Sequence, residues 1–363
     1  MELVIFGAQG YALGVFEALK LLYPKRRVSF FMVSSLDNNA PVLAGIPVRE
    51  IFEVANEKSS EQKKDFEVLI ATPENVQDEI EEILEKHGFC YHSRITSERW
   101  DVLMKLFHIM LGHFLPLQAL PVGCNEPFVR ILMAKSHKDR PLKNEAIIPD
   151  YIYPIQVGTD NCDERIASIL DNDGDNISKK NVNYSELTGL YWMWKHELNS
   201  EETSNCGKNP YYGLAQYRRI LVFSNDDLLR LVDNDVDVVL PYPMPYEPNI
   251  HAHHERYLKE VDWNALLTAL RELQPEYADT FPEVLEQHYL YNYNVILAKK
   301  AVLREYCEWL FPILERTEDL SSPKGNERAD RYIGYMAETL ETLYFIKNAD
   351  KLNVVHSECK LYI

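Results

Sequence analysis

The stretch ELVIFGAQGYALG, residues 2–14, decides the fold of the amino-terminal part of the chain. Its first residues form an apolar run, which predicts a buried strand, and the residues Ala12–Leu22 that follow predict a helix. Three glycines, Gly7, Gly10 and Gly14, occupy the turn and the start of that helix. A strand, a glycine-rich turn and a helix in this order are typical of α/β proteins with parallel sheets.

The same alternation continues to about residue 98. RVSFFMVSS at 27–35 and DFEVLIATP at 65–73 predict two further strands, and NVQDEIEEILEKHGF at 75–89 predicts a helix that ends near Gly88. We therefore predict a Rossmann-like domain with a parallel sheet over residues 1–98.

The glycine turn does not match a dinucleotide site. Its spacing is GxxGxxxG rather than GxGxxG. An NAD site also needs an acidic side chain at the end of the second strand to bind the ribose, and this chain has Ser34 and Ser35 there. An NAD-linked oxidoreductase is therefore disfavoured. Gly7, Gly10 and Gly14 still predict a ligand turn, because glycines let the backbone approach a phosphate at a helix N-terminus. The alternative is that they serve only tight strand-to-helix packing.

Two short motifs connect this domain to a known class. VIFGAQGYA at 4–12 and GIPV at 45–48 resemble the N-terminal sugar-nucleotide-binding domain of bacterial sugar acyltransferases. The resemblance covers about 95 residues and implies a sugar nucleotide as the ligand of the glycine turn.

The overall charge narrows the class of partner. With 56 acidic and 38 basic residues, the net charge is −18, and such a chain repels nucleic acid. The six cysteines form no CxxC pair, which predicts reduced cytosolic thiols. We see no signal peptide and no uninterrupted apolar run of 18 residues, so we expect a cytoplasmic protein.

An amphipathic segment separates the two halves of the chain. The apolar residues from Trp100 onward recur near helical spacing, which predicts a helical linker over residues 99–124. Peripheral contact with the inner membrane face is the alternative role for this helix.

The alternation starts again after the linker, and a second α/β domain is predicted over residues 125–363. PFVRILMAKSHKDRPL at 127–142 predicts a strand followed by a polar turn that bears Ser136 and His137. A strand that ends in such a turn is typical of the opening of a nucleotide-binding domain.

The segment DNDGDNISKKNVNYSELTGLYWMWKH, residues 171–196, is rich in polar groups. Its spaced aspartates suggest a calcium loop, but Asn176 and Val182 stand where the EF-hand pattern needs Gly and Glu. The pattern NYSE places Asn183 three residues before Glu186, which predicts a capping box for the helix that follows.

The segment YYGLAQYRRILVF, residues 211–223, sets two arginines beside each other in an acidic chain. Gly213 predicts a close backbone approach. If the segment is extended, Arg218 and Arg219 point to opposite faces, so one enters a cleft. Guanidinium groups bind phosphate oxygens bidentately without a metal, which predicts a diphosphate clamp. The alternative is a pair of surface arginines that balance the acidic shell.

Several long motifs in one order give a second resemblance, which covers residues 128–363. GDNISKKNVNYSELTGLYWMWK, YGLAQYRR, VDVVLP, YNYNVILAKK, EYCEWLFPILE and RYIGYMAETL resemble a bacterial family of capsular and exopolysaccharide glycosyltransferases, long catalogued as a domain of unknown function. The family's arginine motif usually reads GLxHYRR, and here Gln216 replaces the histidine.

The resemblance implies a GT-A-like mixed α/β fold and transfer of a hexose, galactose in pyranose or furanose form being one option, from a UDP-sugar to a lipid-linked oligosaccharide. Together with the polar turn after the first strand, it predicts donor-binding residues, which are Ser136, His137, Asn176, Ser178, Asn183, Glu186, Thr188, Gly213, Tyr217 and Asn294.

The predicted catalytic residues follow from what glycosyl transfer requires. Inversion needs a carboxylate base and a cation for the departing diphosphate. We assign the base to Glu338 or, as the second choice, Asp175, and the cation to Arg218 and Arg219. A metal, Mg²⁺ or Mn²⁺, stays unassigned, with 171–175, 235–237 and the histidines of HAHH at 251–254 as the options. A non-catalytic sugar-nucleotide-binding or assembly protein is the competing hypothesis.

Overall fold

The computed structural model describes residues 1–37, 39–142, 148–200 and 209–362. They form two compact units. The first comprises residues 1–114 and 244–248, and the second comprises residues 115–243 and 249–362. The first unit carries a mainly parallel sheet and the second a mixed sheet, which confirms the predicted α/β class.

The first unit is a six-stranded sheet with helices. Its strands are β1 (Glu2–Phe6), β2 (Val28–Val33), β3 (Val42–Leu43), β4 (Ile46–Glu50), β5 (Phe66–Ile70) and β6 (His92–Arg94). Its helices are α1 (Gly10–Leu22), α2 (Ile51–Glu57), α3 (Ser60–Lys63), α4 (Gln77–Lys86) and α5 (Ser97–Leu111). The sheet order is β3-β4-β2-β1-β5-β6, and every pair except β3–β4 is parallel. The GIPV motif, residues 45–48, supplies part of the turn between β3 and β4 and the first residues of β4.

Two glycines of the turn after β1 and the start of α1 allow neighbouring segments to approach closely. Gly7 has a φ of 123°, and a Cβ there would lie 2.6 Å from the backbone oxygen of Ala71. A Cβ on Gly14 would lie 2.4 Å from the ring of Trp100, because α1 packs against α5 at this point. Tyr11 stacks on the same ring with the centroids 3.9 Å apart. Gly10 is the first residue of α1. Gly7 and Gly14 therefore permit close packing, whether or not the turn also binds a ligand.

The second unit holds the remaining elements. Its strands are β7 (Phe128–Lys135), β8 (Ile152–Gln156), β9 (Ile169–Leu170), β10 (Pro210–Gln216), β11 (Arg219–Leu221), β12 (Val238–Pro241), β14 (Tyr289–Leu290), β15 (Ile296–Lys299), β16 (Val354–Ser357) and β17 (Cys359–Leu361). Its helices are α6 (Asn181–Tyr184), α7 (Leu187–Met193), α8 (Asn225–Asp233), α9 (Ile250–His254), α10 (Glu260–Leu273), α11 (Pro275–Ala278), α12 (Phe281–Glu286), α13 (Lys300–Leu320) and α14 (Tyr332–Lys347). Strand β13 (Met244–Pro245) lies in the part of the chain that belongs to the first unit.

The sheet of the second unit is mixed. Its order is β16-β12-β15-β10-β7-β8-β9, with β11 paired to the end of β10 and to β17. Alternate residues of β7, namely Val129, Ile131 and Met133, join Tyr211 and Ala215 of β10 in one apolar cluster, as the period of two requires. Strands β7 and β10 are parallel neighbours, so their carboxyl ends reach the same edge of the sheet. That edge carries the candidate site.

Two further features concern the chemistry of the chain as a whole. Five cysteines (Cys90, Cys124, Cys162, Cys307 and Cys359) are free, and Cys206 lies outside the described residues. Within the described ranges, no helix is long and apolar enough to cross a bilayer. The predicted helical linker, residues 99–124, overlaps α5 (Ser97–Leu111), which belongs to the first unit.

Gly213 in the middle of β10 is required by the spacing of the sheet. A Cβ there would lie 2.3 Å from the carbonyl oxygen of Ile296 on β15, and neither backbone can yield. We expect Gly213→Ala to lower the free energy of unfolding by about 2 kcal/mol or more, measured by urea denaturation. Gly334→Ala is the matched control, because its Cβ would meet only ordinary contacts in α14 and should be neutral or stabilising. Equal stability of both variants would contradict the close approach.

Candidate active site

The paired arginines lie at a tight hairpin rather than in a continuous strand. Gln216 of β10 pairs with Arg219 of β11, so Tyr217 and Arg218 form the two-residue turn. The hairpin separates the two guanidinium groups. That of Arg219 lies 3.7 Å from the centre of the Tyr293 ring, whereas that of Arg218 lies 5.2 Å from the ring of Tyr217. The turn, and not strand alternation, therefore gives the two arginines different surroundings.

Four residues around Arg219 have a left-handed backbone although none is glycine. They are Ser185 (φ 51°), Tyr293 (φ 74°), Asn294 (φ 51°) and Arg331 (φ 64°). Such conformations cost about 1–3 kcal/mol each and persist only where the surrounding structure enforces them. Their concentration at one edge of the sheet makes this edge the candidate site.

Glu186 does not act as the predicted helix cap. The chain reverses at Ser185, which ends α6, and α7 starts after Glu186 with no side-chain cap. The carboxylate of Glu186 instead accepts a hydrogen bond from Asn294 Nδ2 at 2.7 Å and a second from the Gln216 side chain. The side chain of Asn183 is buried and donates to the carbonyl oxygens of Gly325 and Arg328. Asn183 makes these long-range hydrogen bonds instead of capping the helix, so the side chain of Glu186 is free to face the site.

Glu338, in the second turn of α14, is the other carboxyl group of the site and is only 9% exposed. It accepts hydrogen bonds from Asn292 Nδ2 at 3.1 Å and from the N–H of Tyr293. Burial, with a further contribution from the charge of Glu186, raises the pKa of Glu338 to about 8, while Arg219 acts in the opposite direction. A carboxyl group with this pKa is poised to exchange a proton near neutral pH.

Glu341, one helical turn further along α14, joins Glu186 and Glu338, and we call these three residues the carboxyl cluster. Glu341 was not predicted from the sequence. It is 1% exposed, and within the described part of the chain neither of its carboxyl oxygens has a hydrogen-bond partner. Burial, followed by the charges of Glu338 and Glu186, raises the pKa of Glu341 well above its usual range. The spacing of two glutamates on one face of an apolar helix was the signal in the sequence.

The polar turn after β7 lies at the same sheet edge. The Ser136 N–H donates to the carboxylate of Asp139 at 2.7 Å, which closes the turn. The Nδ1 atom of His137 is buried and has no hydrogen-bond partner among the residues that the structure describes.

A second group of predicted residues surrounds Asp171 instead. The carboxylate of Asp171 is buried and accepts from the N–H groups of Gly158 and Thr159. It also accepts from the hydroxyls of Ser178 and Thr188, each at 2.6 Å. Ser178 and Thr188 therefore hold a buried carboxylate, and this explains both residues without a ligand.

Asp175 and Asn176 lie on the polar turn that precedes α6. Asp175 is exposed, accepts a hydrogen bond from the Tyr191 hydroxyl at 3.1 Å and lies 3.7 Å from Lys195. The side chain of Asn176 donates to backbone carbonyls of the same turn. The partners of Asp175 lie toward the far end of α7 from Glu186, so the two predicted bases have different surroundings.

The metal options also have structural partners. Asp235 and Asp237 both contact the ammonium group of Lys299 at the entrance to β12, as a strand-entry turn would. The histidines of HAHH lie on α9, and burial lowers the pKa of His254 to about 3. Across the described ranges, no three His, Cys, Asp or Glu side chains converge to hold a metal ion.

Comparison with known proteins places this site in a family. The model of the family described as Domain of unknown function (DUF4422) matches residues 130–349, which include every member of the carboxyl cluster. The chain belongs to this family. No match was found among the curated proteins.

One solved structure resembles the chain. It is described as the apo structure of the bifunctional glycosyltransferase WbbM, with a TM-score of 0.51 and 28% sequence identity. The match covers 64% of this DUF4422 chain and 45% of WbbM, so the chain spans less than half the length of that protein.

The carboxyl cluster predicts how stability depends on pH. A buried acid whose pKa is raised in the folded state destabilises the protein above its unfolded pKa, by about 1.4 kcal/mol per pH unit until the folded pKa is reached. We expect Glu341→Gln to have little effect at pH 5 and to stabilise the protein increasingly toward pH 8, measured by urea denaturation. Glu276→Gln, at an exposed position, is the control. Equal destabilisation by Glu341→Gln at both pH values would contradict a raised pKa of Glu341 in the folded state.

Proposed function

We propose that the protein is a glycosyltransferase that moves a hexose from a UDP-sugar to a lipid-linked glycan in capsular or exopolysaccharide biosynthesis. The observation that carries the proposal is the buried Glu338 carboxyl group beside Arg219, at the edge of the sheet where the parallel strands β7 and β10 end, the edge at which open α/β sheets bind ligands. The similarity to a bifunctional glycosyltransferase supports the reaction class. Because the match covers 45% of that protein, the proposal assigns a single transfer reaction to this chain.

The chemistry follows from the surroundings of Glu338. In an inverting transfer, the bond between the anomeric carbon and the diphosphate oxygen breaks, and a bond from the acceptor oxygen to that carbon forms. The proton of the acceptor hydroxyl passes to the Glu338 carboxylate, and the diphosphate leaves with the bonding electrons. The amide of Asn292 and the N–H of Tyr293 fix the orientation of the carboxylate that receives the proton.

Arg219 acts through position and charge. Its guanidinium group is packed on the Tyr293 ring, where it stabilises the ionised form of Glu338. Arg218 lies on the hairpin turn and does not pack on Tyr293, so its guanidinium group is the better placed of the two to reach the departing diphosphate. A divalent cation, Mg²⁺ or Mn²⁺, is a second source of positive charge for that group.

A non-catalytic sugar-nucleotide-binding or assembly role is the second candidate. Gln216 favours it, because the related motif carries a histidine at this position. The Gln216 amide donates to the Tyr293 carbonyl oxygen at 3.0 Å and to Glu186. Gln216 thus supplies hydrogen bonds to the site but no titratable group.

A screen of donors separates the two candidates. The purified protein is incubated with UDP-, GDP-, CMP- and dTDP-hexoses, with Mn²⁺ or with EDTA, and both the melting temperature and sugar release are measured. We expect one UDP-hexose to raise the melting temperature and to be slowly hydrolysed. Stabilisation without hydrolysis or transfer would support the binding role, and no response to any nucleotide sugar would contradict both.

Substitution distinguishes the two predicted bases. We expect Glu338→Gln to lower the turnover number about a hundredfold to ten-thousandfold with little change in donor affinity, since the variant cannot accept a proton. Asp175→Asn should lower turnover far less, because Asp175 is exposed and paired with Lys195. Wild-type turnover should rise with pH and level off above about pH 8. A larger loss for Asp175→Asn, or a turnover that is independent of pH from 6 to 9, would contradict Glu338 as the base.

A further inference from the structure

Two cations lie together at the carboxyl edge of the sheet. Lys135 is the last residue of β7, and Arg218 follows the end of β10. These strands are parallel, with Gln216 opposite Ala134, and the N–H of Tyr217 donates to the Ala134 carbonyl oxygen at 3.1 Å. The backbone therefore brings Lys135 and Arg218 to the same short stretch of the edge.

A third cation reaches this edge from α14. Arg331 precedes the helix in a left-handed conformation, and its Nε donates to the Ser185 hydroxyl at 2.9 Å. Its Nη2 lies 4.0 Å from the Glu186 carboxylate, and the side chain is 59% exposed. The guanidinium group is thus held in place on one side and open to solvent on the other.

The three cations surround one carboxylate. Lys135, Arg218 and Arg331 each lower the pKa of Asp139, although burial raises that pKa overall. Within the described ranges, neither Lys135 nor Arg218 has a carboxylate within ion-pair distance. Arg331 also lies near Glu186, so the three cations face two carboxylates, and in a chain with a net charge of −18 they leave a local excess of positive charge.

We propose that Lys135, Arg218 and Arg331 form the binding site for the diphosphate of a nucleoside diphosphate sugar, with Asp139 as the internal anion of the unliganded site. This inference rests on the proposed function and changes the predicted clamp. The second guanidinium group of the clamp is that of Arg331, which comes from a distant part of the sequence. Arg219 does not belong to the clamp, because its guanidinium group packs on the ring of Tyr293. The lysine and the two guanidinium groups supply charge-assisted hydrogen bonds to phosphate oxygens.

The arrangement also places the diphosphate relative to the base. Arg331 contacts Ser185 and approaches Glu186, and Glu186 and Glu338 interact electrostatically. A diphosphate held by these cations therefore leaves its sugar next to the carboxyl cluster. This connects the binding of the leaving group with the group that accepts the proton.

Calorimetric titration with UDP and with inorganic pyrophosphate tests the site. We expect Lys135→Met and Arg331→Gln each to weaken the binding of both ligands about tenfold, and the affinity of the wild type to fall with added salt. Asp139→Asn should strengthen binding several-fold, because it removes a competing negative charge and keeps an oxygen for the Ser136 N–H. Lys351→Met, which removes an exposed lysine from a turn outside the site, is the matched control.

The outcomes separate this site from the proposed reaction. Wild-type affinity for UDP and pyrophosphate in both Lys135→Met and Arg331→Gln, with circular dichroism showing folded variants, would overturn the site and leave the transferase proposal standing. The expected losses together with an absence of any sugar transfer would support the site and contradict the transferase. Weaker binding by Asp139→Asn would overturn the assignment of Asp139 as a competing anion.

Discussion

The second unit is organised around the cost of burying two carboxyl groups next to each other. Burial raises the pKa of both Glu186 and Glu338, and the charge of Glu186 raises that of Glu338 further, because an ionised carboxylate in a poorly solvated environment needs compensating donors. The donors are the amides of Asn292 and Asn294, with Gln216 as a third contributor. They come from the last residue of β10 and the segment before β15, so the shape of the chain at this edge is set by what the carboxyl groups require.

That requirement explains the strained backbone. Ser185 reverses the chain so that Glu186 faces inward, and the left-handed Tyr293 and Asn294 turn their polar groups toward the carboxyl cluster. A mixed sheet with a large apolar cluster supplies the stability that offsets such strain. The same geometry keeps Glu338 at a pKa of about 8, which is unfavourable for stability and suited to proton transfer.

Part of the fold and some residues of the candidate site could be predicted from the sequence. The contacts that could not be predicted join residues far apart in the chain. Apolar runs predicted β1, β2, β5 and β7, and the order of motifs singled out Arg219 and Glu338, because these signals are local. The capping box at Asn183 was wrong because the carbonyl groups of Gly325 and Arg328, more than 140 positions away in the sequence, bind its side chain. Arg331 reaches Ser185 across a similar separation, and nothing in the sequence around Arg331 indicates that contact.

The most direct test of the account is a crystal structure of the protein with a non-hydrolysable UDP-hexose analogue. We predict that Lys135, Arg218 and Arg331 hold the diphosphate and that the anomeric carbon of the sugar faces the carboxylate of Glu338. A diphosphate bound instead at the polar turn of Asp171–Asp175, with Glu338 separated from the sugar by protein, would contradict it.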